Sequence, residues 1–168
     1  MGTDICVEEV VRVFYSKTEN WKRDFFAPRK CDGVVFFTEG EIEYSFPDKK
    51  LTAKTGDLLF LPGNVPYSGK KLCETVAFYV IDFNCATIDE FEKTIHTTIV
   101  STNDYNSMKA QFSEVLDMWR KQAIDRNLRV KSVVYSILCE AIRAEQKGTR
   151  VNQTDSINMI SLGVSTQE

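Results

Sequence analysis

Histidine is the scarcest chemistry-bearing residue in this sequence: His96 stands alone. One imidazole does not make the multi-histidine site of a typical metalloenzyme. The five cysteines (Cys6, Cys31, Cys73, Cys85 and Cys139) are scattered and include no CxxC pair. Zinc sites and disulfide frameworks need closer, paired spacing, so these thiols read as reduced, small apolar side chains. A glycine-rich phosphate loop is missing, and no serine or cysteine has a histidine placed to activate it. No apolar run approaches the roughly 20 residues that span a bilayer. The start, Met1 to Arg12, lacks the basic-then-apolar order of a secretory signal, and Cys6 stands where a myristoylation signal wants serine or threonine. A cytoplasmic protein is expected. Positive charge is short as well. Net charge is −3 and no helix-turn-helix or zinc-type DNA reader is present, whereas a domain that grips phosphates is ordinarily basic. Specific binding of duplex DNA by this chain alone is not expected.

What is present suffices for one core. With 168 residues, 43% of them hydrophobic, the chain has room for one domain, with or without an appendage. Its first hundred residues read as strands. Apolar residues between Val10 and Tyr15, and the stretch from Trp21 to Ala27, predict two early strands. Gly33–Thr38 follows, then a turn at Glu39-Gly40, then Glu41–Phe46, which alternates strictly. Ile42, Tyr44 and Phe46 fall on one face and Glu41, Glu43 and Ser45 on the other, the period-two signature of a half-buried strand. Further short strands are predicted at Lys50–Lys54, Asp57–Leu61, Val65–Tyr67 and Thr75–Phe83, separated by turns at Thr55-Gly56, Pro62-Gly63-Asn64 and Ser68-Gly69. Many short strands at this spacing suggest a β-sandwich or jelly roll.

After about Asn103 the period changes to that of a helix. Met108, Phe112, Val115, Leu116, Trp119 and Ala123 form one apolar stripe, with Asn103 or Asp104 as its cap. Asp125-Arg126-Asn127 reads as a break. A second helix then carries Val130, Val134, Ile137, Leu138, Ala141 and Ile142 on one face and stops near Gly148. The expected organisation is a β-barrel over residues 1–100, a helical hairpin over 101–148, and a polar tail or linker over 149–168.

The segment from Gly56 to Tyr67 resembles the second conserved motif of cupins. Gly56 and Pro62 fit it, Asn64 replaces its second glycine, and Tyr67 replaces its histidine. Asn64 is expected to serve the turn because asparagine tolerates positive φ. Arg29, the stretch Asp32–Gly40, Trp21 and the late strand Val80-Ile-Asp-Phe83 resemble AraC-type transcription regulators, as does the succession of barrel, connector and two amphipathic helices. The resemblance implies a cupin-type double-stranded β-helix (jelly roll), mostly β with a C-terminal antiparallel pair of helices. It also implies a function: sensing of a small effector and dimerisation, with DNA bound through a C-terminal domain that this chain does not contain.

A cupin enzyme holds its metal with two histidines, a glutamate and a third histidine. Counting back from Gly40 puts those positions at Ala27, Arg29 and Gly33, with Tyr67 last, and a one-residue gap would substitute Phe26 and Pro28. None offers imidazole or carboxylate, so a metal-free barrel without a cofactor is expected. What remains is an interior of arginine, aromatics and aliphatics. By strand parity with Gly33, Val35 and Phe37 point inward. The candidate ligand residues are Arg29, Phe37, Tyr44, Phe46 and Tyr67. Aromatic faces with a few polar groups suit a sugar or similar small polar metabolite, and a guanidinium alternatively grips a carboxylate or phosphate. The competing readings are that the aromatics simply fill the core and that Arg29 makes a surface ion pair. Phe112, Trp119, Val134, Ile137 and Leu138 are the candidate homodimer residues, because the apolar arc of the two helices is broader than one neighbour requires. No enzymatic activity is expected. Two rivals stay open: a stand-alone cupin isomerase or epimerase, and a free-standing sugar-binding module.

Overall fold

A computed structural model describes residues 5–86 and 98–144 of the chain. Among the described residues, nine strands and two helices succeed one another: β1 (Val7–Thr18), β2 (Arg23–Pro28), β3 (Asp32–Glu39), β4 (Glu41–Ser45), β5 (Lys50–Lys54), β6 (Asp57–Leu61), β7 (Pro66–Lys71), β8 (Val76–Cys85), β9 (Thr98–Ser101) and α1 (Tyr105–Lys121). A second helix, α2, occupies residues 126–144. The strands form two antiparallel sheets, one ordered β1-β8-β3-β6-β9 and the other β2-β7-β4-β5. The pairs β1·β8, β2·β7, β3·β6 and β4·β5 are nested like one long hairpin folded over itself. That nesting is the jelly-roll pattern of the cupin-type double-stranded β-helix.

Turn chemistry explains where the chain changes sheet. Gly40, between β3 and β4, has φ +83, and a Cβ there would meet the Thr75 carbonyl oxygen. Gly56 repeats the device between β5 and β6 at φ +91. Both positions therefore need glycine. The turn after β6 differs from expectation. Val65 N donates to the Pro62 carbonyl at 3.3 Å, and neither Gly63 nor Asn64 has positive φ. Gly63 matters for approach instead: a Cβ there would lie 3.1 Å from the Cys31 carbonyl carbon, while its N–H donates to Asp32 Oδ1 at 2.9 Å.

β3, β6 and β8 are buried on both faces. Alternate residues face opposite ways in a strand, so one sheet serves two cores. Val34, Phe36, Leu58, Phe60, Ile81 and Phe83 point to the side covered by α1 and α2. Val35, Phe37, Leu59, Leu61, Phe78 and Val80 point between the sheets and meet Ile42, Tyr44, Phe46 and Tyr67 of the smaller one. The inward parity read for Val35, Phe37 and β4 is therefore observed.

α1 begins as expected: the Asp104 side chain accepts from Ser107 N at 3.0 Å. It ends earlier than the expected break, because Gln122 takes a left-handed conformation at φ 52. Tyr135 and Lys131 of α2 tie the helix to the edge strand β1. The Tyr135 hydroxyl accepts from Val7 N at 2.7 Å, and Lys131 Nζ donates to the Glu8 carbonyl at 2.6 Å.

Two boundaries need correction. β7 runs through Ser68-Gly69 to Lys71, since Gly69 is held in register opposite Tyr44. β9 went unread and straddles residue 100, pairing Leu59 with Ile99 and Leu58 with Val100. The helical residues proposed for a partner are also relocated. Phe112, Val134, Ile137 and Leu138 are buried against the outer face of the five-stranded sheet within a single chain. Trp119 is half-buried, with the Arg126 guanidinium 4.4 Å above its ring. The apolar arc is wide because the sheet beneath it is wide. The helix end near Gly148 and the tail 149–168 lie outside the described residues, as does His96. Among the described residues no helix is long and apolar enough to cross a membrane.

Candidate functional site

A cavity of about 280 Å³ lies between the two sheets. β1 and β2 are each the terminal strand of their sheet, and residues of both line it. Of the five candidate ligand residues, Arg29, Tyr44 and Tyr67 are brought together on its wall. Phe37 and Phe46 are not part of that lining; they are buried beside it, Phe37 edge-on to Tyr44 and Phe46 stacked on it, each with ring centroids 6.3 Å away. They support the wall rather than form it.

The polar chemistry is centred on Asp82, the one charged side chain in β8 and almost wholly buried. Its Oδ2 takes the Arg12 guanidinium, at 2.7 Å from Nη2 and 2.9 Å from Nε. Its Oδ1 takes Nη2 of Arg29. Burial, the largest single influence, works against charge on Arg29, but the Asp82 carboxylate and Tyr67 together outweigh it, and the guanidinium is held charged above its ordinary range. Arg29 is mostly buried, so it is no surface ion pair. Gly33 makes this geometry possible. A Cβ there would lie 2.8 Å from Arg29 Nη2 and 3.0 Å from Asp82 Oδ1. At the position where a cupin enzyme carries its glutamate, this chain leaves room for a guanidinium.

Arg23 supplies a third cation. The ladder between β2 and β7 is irregular between Arg23 and Ala27, and this stretch turns Phe25 and Phe26 outward to solvent. The Arg23 side chain bridges the irregularity, donating from Nε to the Tyr67 carbonyl at 3.2 Å and from Nη2 to the Ala27 carbonyl at 2.9 Å. Its guanidinium stacks 4.0 Å from the centre of the Tyr67 ring. Trp21 closes another side, edge-on to Tyr44 at 5.9 Å. It reaches that place because Gly69 has no side chain; a Cβ would collide with the indole ring. Burial pushes the Tyr44 hydroxyl far above its ordinary proton affinity, so it remains a neutral phenol.

The four positions expected to replace metal ligands are thus divided. Arg29 and Tyr67 face the cavity, Gly33 makes space for Arg29, and Ala27 offers Arg23 a backbone carbonyl. A divalent cation placed among guanidiniums and phenols would meet repulsion and weak donors, so the side chains present do not fit one.

Sequence reasoning missed Arg12, Arg23 and Asp82 as site residues. Asp82 had a usable signal: one carboxylate in an otherwise uncharged strand, two residues on from the inward Val80. Arg12 had none, since register shifts in β1 put Val7, Val10 and Val13 on one face at steps of three. Simple alternation fails across such bulges. A second cleft, of about 220 Å³, lies between the β9–α1 connection and the end of α2. Its charged residues Asp104, Glu140 and Arg143 are exposed, and none is aimed into a closed space.

No family model matches the chain, and no curated protein matches it. Solved structures similar to part of this chain include a DUF861 family protein from Thermotoga maritima, at 24% identity and TM-score 0.34, covering 39% of this chain and 73% of that one. An RmlC-like cupin family protein with a double-stranded β-helix fold from Methanocaldococcus jannaschii is 14% identical, with TM-score 0.39 and coverage of 49% and 83%. A cupin-2 domain containing protein from Shewanella frigidimarina is 18% identical, with TM-score 0.37 and coverage of 48% and 80%. Likenesses of this size concern fold alone, and it is the nested strand pairing of this chain that makes the barrel a jelly roll of the cupin type.

Proposed function

We propose that this chain is the effector-sensing and dimerisation region of an AraC-type transcription regulator, binding a small polar metabolite inside a metal-free barrel. The observation that carries the reading is the cavity between the sheets, where Arg29, Tyr44 and Tyr67 converge with Trp21. Aromatic walls with a few fixed donors are what a small polar ligand needs. The helical pair packed on the back of the same sheet supports the regulatory half of the proposal. β3, β6 and β8 touch the cavity on one face and the helices on the other, so a ligand that shifts these strands shifts the helices too. The role is binding rather than catalysis. The Asp82 carboxylate is tied to two guanidiniums and burial keeps the Tyr44 phenol neutral, so neither stands ready as a general base near neutral pH. DNA would be contacted by a C-terminal domain outside this chain.

The test is calorimetric titration with a panel of monosaccharides and small acids, repeated on Tyr67→Ala and Arg29→Ala. Saturable binding lost in both variants supports the reading; affinity unchanged in both removes the cavity from it. Dimerisation belongs to the same proposal, with a second copy of this chain as the partner. Exposed apolar residues at the turn and the start of the second helix are free to make that interface: Ile124 is fully exposed and Leu128 is 76% exposed. Light scattering at micromolar concentration should give a dimer that Ile124→Asp combined with Leu128→Asp weakens. A native monomer at all concentrations ends the dimer proposal.

A further inference from the structure

The chain is acidic overall, yet its barrel cavity concentrates cations. Net charge is −3, while the cavity wall carries Arg12, Arg23 and Arg29. Asp82 is the counter-charge for Arg12 and Arg29 together. One carboxylate shared by two guanidiniums leaves a positive charge over. Arg23 has no acidic side chain within 4.0 Å among the described residues; its partners are two backbone carbonyls and the faces of Tyr67 and Phe25. A guanidinium has five N–H donors, and those carbonyls accept from two of its nitrogens, so further donors remain. Lys22 also touches the cavity, but it is exposed and paired with Asp24, so it contributes little.

We propose that the ligand of this cavity is an oxyanion, a small molecule carrying a carboxylate or phosphate held by Arg23 and Arg29, with an apolar or aromatic body against Trp21 and Tyr44. The inference rests on the cavity reading above and narrows it. A neutral sugar would leave the surplus charge of a partly closed cavity uncompensated. An oxyanion neutralises it and accepts charge-assisted bonds from planar donors that match its geometry. The aromatic wall fits the second half of such a molecule: the Trp21 and Tyr44 rings, set edge to face, both line the cavity and offer apolar surface to a ring or branched group. At about 280 Å³ the cavity sits at the small end of ligand pockets, which limits the body to roughly one ring.

The experiment titrates the full chain with phenylacetate, phenyl phosphate, the uncharged 2-phenylethanol and D-glucose, by calorimetry and by quenching of Trp21 emission in a Trp119→Phe background. At least one anion should bind about tenfold or more tighter than the alcohol, as loss of a charge-assisted bond implies. Whichever of the two anions binds tighter identifies the headgroup as carboxylate or phosphate. Arg23→Gln should lower that affinity about tenfold, with Arg23→Lys retaining most of it. Equal affinity for alcohol and anions, or unchanged affinity in a folded Arg23→Gln, overturns the proposal. If Arg23→Gln does not fold, the comparison of anions with alcohol on the native chain decides. Glucose bound while both anions are silent overturns the oxyanion but keeps the sensing function. Silence of all four probes at millimolar concentration removes both.

Discussion

The two faces of the five-stranded sheet are built from the same strands and do opposite work. On the outer face, Phe36, Phe60, Ile81 and Phe83 meet Phe112, Val115, Val134 and Ile137 in one apolar cluster. On the inner face, residues one step along the same strands meet a cavity, three arginines and a buried carboxylate. A dry, filled face gains from every contact made. A face with an open cavity and a buried charge gives up contacts and desolvates a carboxylate, which ordinarily opposes stability. The comparison teaches that the helical pair carries the stability that lets the barrel interior stay open and charged.

The largest expected effect comes from breaking the outer face. Phe112 is fully buried and stacks on Phe36 at 5.3 Å, so Phe112→Ala should cost about 3–5 kcal/mol in urea unfolding. A loss below about 1 kcal/mol would mean that the helices add little and the comparison is misdrawn.

Next comes the inner face at its charged centre. Asp82→Asn removes the counter-charge of Arg29 and should cost about 3 kcal/mol, the lower end for a broken buried pair because Arg12 is largely exposed. A double-mutant cycle with Arg29→Gln checks this; simple additivity of the two losses would show that the pair is not coupled.

A smaller effect sharpens the geometry. Gly33→Ala and Gly69→Ala each push a Cβ against an occupied space, the Arg29–Asp82 pair in one case and the Trp21 ring in the other. Each should cost about 1–3 kcal/mol. The second should also shift Trp21 emission, and an unchanged spectrum would show that the indole does not depend on Gly69.

The smallest effect is one of pH. Asp32 is buried at the start of β3, and burial raises its carboxyl above the ordinary 3.8 despite the Gly63 N–H. The folded chain therefore holds this proton more tightly than the unfolded chain does. Its contribution favours folding below the ordinary value and becomes a penalty as pH rises through the raised value. Asp32→Asn keeps an oxygen for Gly63 and should flatten the dependence of stability on pH just above the ordinary carboxyl range. Denaturation curves across that range that are parallel in both proteins would argue against it.

Much of this fold could be read from periodicity. The ends of β5 and β6 were read to the residue, because glycine turns and alternating side chains act locally and need no knowledge of neighbours. The inward face of β4 followed from the same alternation. Arg29 and Tyr67 were legible as cavity residues because a motif fixes their distance from Gly40, Gly56 and Pro62, and Tyr44 because it lies on that alternating face. Other features had no local signal. Burial of Phe112, Val134, Ile137 and Leu138 reads identically whether the cover is a partner or the chain's own sheet, since a stripe records only that something must cover it. Only the packing of α1 and α2 on β1, β3 and β8 decided which.

The site divides in the same way. The sequence determined that the barrel would lack imidazole and carboxylate at the four expected ligand positions, because residue identity alone excludes those donors. The tertiary structure decided what takes their place. Arg12, Arg29 and Asp82 are separated by up to 70 residues, and Arg23 reaches the Tyr67 carbonyl across 44. Their meeting depends on two bulged strands whose register no alternation rule predicts, and on the absent side chains of Gly33 and Gly69. Charge pairing acts through space, over a few ångströms, whereas sequence records order along a chain. Cavity, cation cluster and buried carboxylate therefore came into view only when β1, β2 and β8 were laid side by side.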